Sequence, residues 1–307
     1  MATEKTVVIS GVNAAALTPR RTGEARVDLA AALEVVDFLG SHGVKGIALM
    51  GATGELSHFD LEERQRLVEL AVKRSRVPVI ASVGHSTLEG AVALGRAAAG
   101  AGAAALLVMP PYFFRYRQSE VKEYLLRFAG ELKGAAPILL YNIPFFTSEL
   151  SAETAAELLA TGLFGGIKDS SGRWDNFIKL KAARKRHDFA LLVGNDALFT
   201  PARRAGADGV ISGCACAIPE LLLALDRAIV SGDGERCERL DVRLHEFIGW
   251  IDNFPTPIGI REALGVRGLR VGPHAAPLAA EEQRRLAQFR AWFQGWLLDV
   301  LKECGDV

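Results

Sequence analysis

A lysine stands where a buried strand is expected to end, in the stretch FGGIKDSSG at residues 164–172. FGGI is typical of a short apolar strand, and DSSG is typical of a turn. Consecutive strand residues face opposite ways, so Asp169 is a poor partner for Lys168. Burying an unpaired ammonium is costly, which favours a neutral amine, the nucleophile that forms a Schiff base with a carbonyl. We therefore identify Lys168 as a candidate catalytic residue; a side chain that reaches solvent at the strand end is the alternative.

Two further apolar runs end in residues that could do chemistry. Tyr141 opens the motif YNIP (141–144), and a phenol at a strand end can transfer protons or satisfy a backbone carbonyl structurally. The motif GATGE (51–55) has two glycines that permit a tight turn with inward N–H groups. Together with the Thr53 hydroxyl, those groups could hold a carboxylate. A turn capped by Thr53 and Glu55 is the simpler interpretation.

The remaining candidate motifs give weaker signals. The glycines of GADGVISG (206–213) could bind a phosphate or could only form a tight turn. The six histidines show no metal-ligand spacing, so no metal site is predicted. Cys214 and Cys216 lie two apart on the predicted eighth strand, and we expect them to be buried as small hydrophobic residues.

Apolar strand-like runs alternate with amphipathic helical stretches through the first three quarters of the chain. Strands that are apolar on both faces are typical of a parallel sheet with helices around it. Eight strand–helix units predict a (β/α)8 TIM barrel, and a doubly wound open sheet is the runner-up. The eight runs are VVISGVNAA, VKGIALMG, VPVIASVG, AAALLVMP, APILLYNIP, FGGIK, FALLVGN and DGVISG. The motifs above follow strands, and barrel active sites lie at the carboxyl ends of the strands.

After Gly232 only helical periodicity remains, over 236–250, 257–264 and 280–301. We therefore predict a barrel with the active site at 1–231, and a C-terminal helical extension packed on it at 232–307.

Composition excludes several classes of function. Acidic and basic residues balance at 36 each, so neither a nucleic acid nor an anionic membrane is an expected partner. We see no secretory signal at the N-terminus and no apolar run long enough to span a membrane. The four cysteines are few and irregularly spaced, which suits a reducing environment, and we expect a cytoplasmic protein.

The order and spacing of GATGE, PPYF, YNIP, GIKDSSG and GADGVISG resemble the dihydrodipicolinate synthase and N-acetylneuraminate lyase family. These are class I aldolases that act through a lysine Schiff base, and the resemblance covers nearly the whole chain. It implies that Lys168 condenses with the ketone of pyruvate or another 2-keto acid. It also implies that Tyr141 carries protons to and from that Schiff base, with no cofactor.

The resemblance assigns roles to further positions. Thr53, with the backbone of Ala52 and Thr53, would bind the carboxylate of the keto acid. Gly194 and Ile211 would line the site through their backbones. Tyr112 matches a tyrosine that is typically lent across a dimer interface into the neighbouring site. A homo-oligomer, a dimer or the tetramer common in the family, is therefore expected.

The sequence departs from the best-known members at three positions. Phe146 stands where the lysine-pathway synthase usually carries an arginine, so the carboxylate of a second substrate would lose its bidentate partner. Ala52 replaces a second hydroxyl residue of the proton relay, and Ala197 replaces an acidic residue of the sialic-acid lyase. Phe145, Phe146 and Phe114 predict a less polar distal pocket.

These features predict a lyase or aldolase for a 2-keto acid that is not the lysine-pathway synthase. A dehydratase for 2-keto-3-deoxy sugar acids, or a hydratase-aldolase for aromatic pyruvates, would use the same imine. A phosphate-dependent barrel enzyme and an inactive keto-acid-binding or regulatory protein are alternatives from other classes.

Overall fold

The computed structural model of the protein describes residues 9–305, and eight parallel strands form a closed barrel within them. The strands are β1 (Gly11–Ala15), β2 (Gly46–Leu49), β3 (Val79–Ser82), β4 (Ala105–Val108), β5 (Ile138–Asn142), β6 (Gly166–Asp169), β7 (Ala190–Val193) and β8 (Gly209–Ser212). Strand β1 pairs with both β2 and β8, so the sheet has no open edge. The predicted barrel is confirmed, and the open sheet is wrong.

Helices follow the strands and surround the barrel. They are α1 (Leu29–Ser41), α2 (Leu61–Arg74), α3 (Leu88–Ala101), α4 (Gln118–Leu132), α5 (Ala152–Ala160), α6 (Trp174–Ala183), α7 (Phe199–Arg204), α8 (Cys214–Ala217), α9 (Pro219–Ser231), α10 (Gly234–Ile251), α11 (Ile258–Val266) and α12 (Ala280–Cys304). Several begin at a side-chain cap; for example, Asp28, Thr87 and Ser151 each accept a hydrogen bond from a first-turn N–H.

The apolar strands separate two cores. One core fills the barrel, with small or branched side chains such as Ala48, Ile80 and Leu139. The other lies between the barrel and its helices, with Val12, Ile47 and many others. Burial on both sides explains why the strands read as continuous apolar runs.

Two expectations about the strands need comment. The first predicted run begins at Val7, which lies outside the described residues, and β1 occupies only Gly11–Ala15. The placement of Cys214 and Cys216 on a strand is wrong, because β8 ends at Ser212 and the cysteines form α8. The Ser212 hydroxyl accepts the N–H of Ala215, which starts that helical turn. Both cysteines are buried as expected.

Of the last three helices, α10 and α12 pack against α9, and α11 packs against α8. Their own core is aromatic: rings of Phe247, Phe289, Phe293 and Trp296 lie within 5.6–6.3 Å of one another. Within residues 9–305, no helix is both long and apolar enough to cross a bilayer.

Candidate active site

Lys168 lies inside the barrel near the carboxyl end of β6 and is 4% exposed. On the adjacent strand β5, the residue in register with Lys168 is Tyr141. The Lys168 Nζ atom lies 4.2 Å from the centre of the Tyr141 ring. Lys168 forms no ion pair with any other described residue. The alternative of a lysine that reaches solvent is wrong, because the side chain is enclosed.

The adjacent Asp169 faces away, as the alternation of a strand requires. Its carboxylate accepts hydrogen bonds from Asn142 Nδ2 at 2.8 Å and from the Ser171 hydroxyl at 2.9 Å. Asn142 in turn accepts the N–H of Leu150. These bonds fix the ends of β5 and β6 relative to each other, and so they hold Tyr141 beside Lys168.

A cavity of about 690 Å³ opens above Lys168 at the carboxyl ends of the strands. Six of the seven site residues expected from the sequence line it: Ala52, Thr53, Tyr141, Lys168, Gly194 and Ile211. Residues distant in sequence therefore converge on one space, as strand ends do in a barrel.

Because Gly194 has no side chain, the side chain of Lys168 can occupy the space beside it. A Cβ atom at this position would lie 2.7 Å from Lys168 Cε and would also overlap the Ser170 hydroxyl. A side chain here would displace the amine, so glycine is required by packing.

The GATGE turn is held from below by a buried ion pair that sequence analysis missed. Glu55 has a left-handed backbone (φ 52°), and its carboxylate pairs with Arg261 of α11. Arg261 also donates to the carbonyl oxygens of Thr18 and Val271. Glu55 therefore does not cap its own turn; instead, a helix more than two hundred residues away fixes the loop that carries Thr53.

Two polar residues at the cavity, the buried Ser170 and the partly buried Asp196, were also missed. The Asp196 Oδ2 atom accepts the N–H of Cys214 at 3.2 Å, whereas Oδ1 has no hydrogen-bond partner among residues 9–305. The Ser170 hydroxyl likewise has none. Burial raises the pKa of Asp196, although the nearby Lys168 opposes this. Unpaired polar atoms that line a cavity can hydrogen-bond a ligand. In the sequence, Ser170 directly follows β6, and Asp196 lies three positions after the end of β7.

The wall farther from the barrel comes from the C-terminal region. Ile248, Ile251 and Asp252 at the end of α10 line the cavity, together with Phe254, Thr256 and Ile260. Sequence analysis placed the active site in residues 1–231, but the cavity lining extends beyond them to residues 248–260. Helical periodicity shows that a helix has an apolar face, but it does not show what that face covers.

Tyr112 lies elsewhere. It lines an adjoining cavity of about 440 Å³ that shares Ala52, Ile143, Phe146 and Thr256 with the first. Its ring meets that of His85 edge-on at 6.3 Å. Phe145 and Phe146 line the Lys168 cavity as expected for a distal pocket, but Phe114 lines neither cavity.

The geometry of β8 argues against a phosphate site. Gly206 and Gly209 precede or begin the strand, at the end of the barrel opposite the cavity. Gly206 has φ 100°, and Gly209 packs against the backbone of Gly11. At the other end, the N–H groups of Cys214 and Ala215 already bind Asp196 and Ser212. Gly206 and Gly209 therefore serve the turn and the packing, whereas Gly213 lines the Lys168 cavity.

Comparison with known proteins shows which family the chain belongs to. A sequence model of the dihydrodipicolinate synthetase family matches residues 8–294. The chain belongs to the dihydrodipicolinate synthetase family. Its members are class I lyases, and this protein is an enzyme of that type.

Curated relatives in the family carry two kinds of name. The 4-hydroxy-tetrahydrodipicolinate synthase of Methanococcoides burtonii is 29% identical over 284 residues, 91% of this chain and 97% of that protein. The synthase of Methanothrix thermoacetophila is 31% identical over 273 residues, 89% of each. A DapA-like lyase of Halobacterium salinarum, described as uncharacterised, is 33% identical over 77% of both chains.

Solved structures of the dihydrodipicolinate synthetase family share the fold. The synthase of Aquifex aeolicus has a TM-score of 0.86 at 29% identity, covering 94% of this chain and 99% of that one. YagE, a prophage protein of Escherichia coli solved in complex with pyruvate, has a TM-score of 0.86 at 25% identity, with the same coverage. A dihydrodipicolinate synthase variant described as monomeric matches with a TM-score of 0.86 at 26% identity, covering 98% and 99%.

Proposed function

We propose that the protein is an aldolase or lyase that forms a Schiff base between Lys168 and pyruvate or another 2-keto acid. The observation that carries this proposal is Lys168 itself: it has no ion pair within residues 9–305, is 4% exposed, and lies at the base of a cavity against the ring of Tyr141. No carboxylate engages the side chain among residues 9–305, so its nitrogen is free to meet a carbonyl carbon in the cavity, which is what Schiff-base formation requires.

The reaction follows from imine chemistry. The Lys168 amine attacks the ketone carbon of the keto acid, water leaves, and the protonated imine withdraws electrons from the neighbouring carbon C3. Loss of a C3 proton gives an enamine. The enamine C3 then attacks an aldehyde carbonyl, whose oxygen takes up a proton, and water hydrolyses the imine to release a 4-hydroxy-2-oxo acid. The reverse sequence cleaves the same C3–C4 bond.

The other cavity residues have distinct roles in this proposal. Thr53 and the backbone of the 51–55 turn bind the keto-acid carboxylate, since the turn is fixed through Glu55 and Arg261. Tyr141 transfers protons at the imine and at the new hydroxyl, because its ring already lies at Lys168 Nζ. Gly194 and Ile211 shape the base of the cavity.

We further propose that this is not the lysine-pathway synthase, although several relatives carry that name. Lys168 is the only lysine or arginine among the described residues that line its cavity. A second substrate with its own carboxylate would therefore find no cation, and Phe146 stands where an arginine is expected. A dehydratase or hydratase-aldolase would pass through the same imine. The inactive-protein alternative leaves the Lys168–Tyr141 arrangement unexplained.

The test is exchange of the pyruvate C3 protons for deuterium in D2O, followed by proton NMR, because this exchange needs the enamine but no second substrate. The wild-type protein should catalyse it, and Lys168→Ala should abolish it with an unchanged circular dichroism spectrum. Lys179→Ala is the matched control, since Lys179 is exposed on α6 and paired with Glu153. Exchange that survives in Lys168→Ala would refute the assignment. No exchange by the wild type with pyruvate or 2-oxobutanoate would favour the inactive-protein alternative.

A further inference from the structure

The Lys168 cavity is polar at its base and apolar above. Near the amine lie Thr53, Ser170, Asn195 and Asp196. The opposite wall, from the β5–α5 loop and the α10–α11 segment, includes Asp252 and Thr256 but is mostly aromatic and branched aliphatic: Phe145, Phe146, Ile248, Ile251, Phe254 and Ile260. A ligand that reacts at Lys168 and extends outward must therefore contact apolar side chains.

Two of these side chains are exposed to an extent that is unusual for phenylalanine. Phe145 is 68% exposed and Phe146 is 54% exposed. Removal of an apolar group from water by a binding partner lowers the free energy of the system. An exposed aromatic pair at a cavity is therefore typical of a binding surface.

Hydrogen bonds fix the β5–α5 loop that carries Phe145 and Phe146, so the exposure of these two rings is a property of the folded chain. The N–H groups of Phe146 and Thr147 both bind the carbonyl of Ile143, at 3.1 and 3.2 Å. Thr147 and Ser148 are buried, and Ser148 accepts the N–H of Tyr116 at 2.6 Å. The apolar space also continues past Phe146 into the adjoining cavity, where Leu56, Met109 and Phe113 form the lining.

Charge in the two cavities disfavours an anionic tail. Lys168 is the only lysine or arginine among the described residues lining either one, and in the imine its nitrogen is bonded to the keto acid. Glu55 is already paired with Arg261. Burial raises the pKa of Asp196 and of Asp252, and neither side chain supplies a positive charge. His58 lines the adjoining cavity, but its ring already contacts Glu55. A second carboxylate buried in the Lys168 cavity would be desolvated without a lysine or arginine partner, which is costly.

We propose, on the basis of the Schiff-base function above, that the carbonyl partner of the keto acid is a neutral aldehyde with an aromatic or bulky aliphatic body. Its body packs among Phe145, Phe146 and the α10–α11 wall, while its carbonyl carbon faces C3 of the enamine. Bond formation gives a 4-hydroxy-2-oxo acid with an apolar substituent at C4. The water released in forming the imine is taken up again in hydrolysis, so no further reactant is needed.

The test compares aldehydes of nearly equal size at saturating pyruvate, with the hydroxy-oxo acid measured by chromatography. Benzaldehyde and 4-formylbenzamide are neutral, 4-formylbenzoate is anionic, and glyceraldehyde is small and polar. We expect kcat/KM for the two neutral aromatic aldehydes to exceed that for 4-formylbenzoate and for glyceraldehyde by at least about 10-fold, the discrimination that one lost or mismatched group produces in a pocket.

Variants locate the effect. Phe146→Ala should lower kcat/KM for benzaldehyde by about 10-fold or more and change that for glyceraldehyde little, because only the aromatic body loses its contact. Phe114→Ala is the matched control, since Phe114 is exposed but lines neither cavity, and it should leave the preference unchanged. An equal loss in both variants would contradict the assigned contact.

The failures are distinguishable. No deuterium exchange with pyruvate alone would remove the proposed function, and this inference with it. Exchange together with a preference for glyceraldehyde or 4-formylbenzoate would overturn the aldehyde class and leave the Schiff base in place. A Phe146→Ala variant with unchanged aldehyde preference but a changed oligomeric state would show that the exposed pair covers another copy of the chain, and this too would overturn the proposal.

Discussion

Lys168 and Tyr141 show how much of a site a sequence can predict at the scale of single residues. Both stand at the end of an apolar run, and a polar side chain there is too costly to be incidental. The sequence therefore predicts where they lie. It does not predict that the ring of Tyr141 faces the Lys168 amine, because that depends on the register between β5 and β6. Ser170 and Asp196 escaped notice because polar residues in turns are ordinary.

Tyr141→Phe tests the proton-transfer role at this scale. Removal of the hydroxyl should lower the rate of pyruvate C3 exchange by about 10²–10⁴-fold, the usual contribution of acid–base catalysis. The ring that packs against Lys168 is kept, so thermal stability should change little. Tyr116→Phe, at a partly exposed tyrosine outside both cavities, serves as the control. An unchanged exchange rate in Tyr141→Phe would reduce the tyrosine to a packing residue.

Gly194→Ala tests the space reserved for the amine. The new methyl group would lie 2.7 Å from Lys168 Cε, so the lysine must move and exchange of pyruvate protons should fall by at least about 10-fold, since small misplacements of reacting groups are costly. Gly130→Ala is the matched control, because a Cβ there, on α4, meets nothing within 4 Å. That change should leave exchange intact and stabilise the protein by a few tenths to about 1 kcal/mol. Full activity in Gly194→Ala would show that the lysine is less constrained than its packing indicates.

At the scale of elements, continuous apolar runs predicted all eight strands, but they also misplaced one boundary. GVISGCACA contains one polar residue, Ser212, among small and apolar ones, so sequence alone extends β8 through the cysteines. The strand ends earlier because Ser212 and Asp196 accept the first N–H groups of α8. The end of β8 is therefore determined by two side-chain acceptors, one three residues and one eighteen residues away from the N–H group that it binds. A hydrophobicity pattern carries no information about such acceptors.

The ion pair between Glu55 and Arg261 links α11 to the GATGE turn and is open to a stability test. Arg261→Met should leave the buried Glu55 with only the His58 ring as a partner, at 3.2 Å, and cost up to about 3–5 kcal/mol in the free energy of unfolding. The double variant Arg261→Met/Glu55→Gln should recover much of that loss, because no charge then remains unpaired.

Urea unfolding measures both variants of the Glu55–Arg261 pair. Arg74→Met is the control: Arg74 pairs with Asp37 on the surface, and its loss should cost no more than about 1 kcal/mol. If Arg261→Met is no more destabilising than Arg74→Met, the buried pair does not hold the turn.

At the scale of the whole molecule, the barrel and the C-terminal helices form the cavity together. Sequence analysis predicted both parts but assigned the site to the barrel alone. Which face of α10 and α11 turns toward the strand ends depends on tertiary packing, to which Phe247 and its aromatic neighbours contribute. The apolar upper wall, and with it the proposed substrate class, was therefore visible in the sequence only through Phe145 and Phe146.

The assembly of the protein remains a prediction. We expect a homo-oligomer in which Tyr112 reaches a neighbouring site. In support, Phe113 beside it is 85% exposed and has φ 83°, a conformation that a non-glycine residue adopts at a cost. Light scattering across a dilution series, with deuterium exchange measured on the same samples, should show activity falling as the oligomer dissociates. A fully active monomer would contradict the shared tyrosine.

The most direct test of the central claim is the mass of the intact protein after incubation with pyruvate and borohydride, followed by peptide mapping. Borohydride reduces the imine to a stable amine, so the account predicts one adduct per chain, on the peptide that contains Lys168. The control reaction without pyruvate should leave the mass unchanged. An adduct on a different lysine, or no adduct with pyruvate or any longer 2-keto acid, would contradict the Schiff base at Lys168.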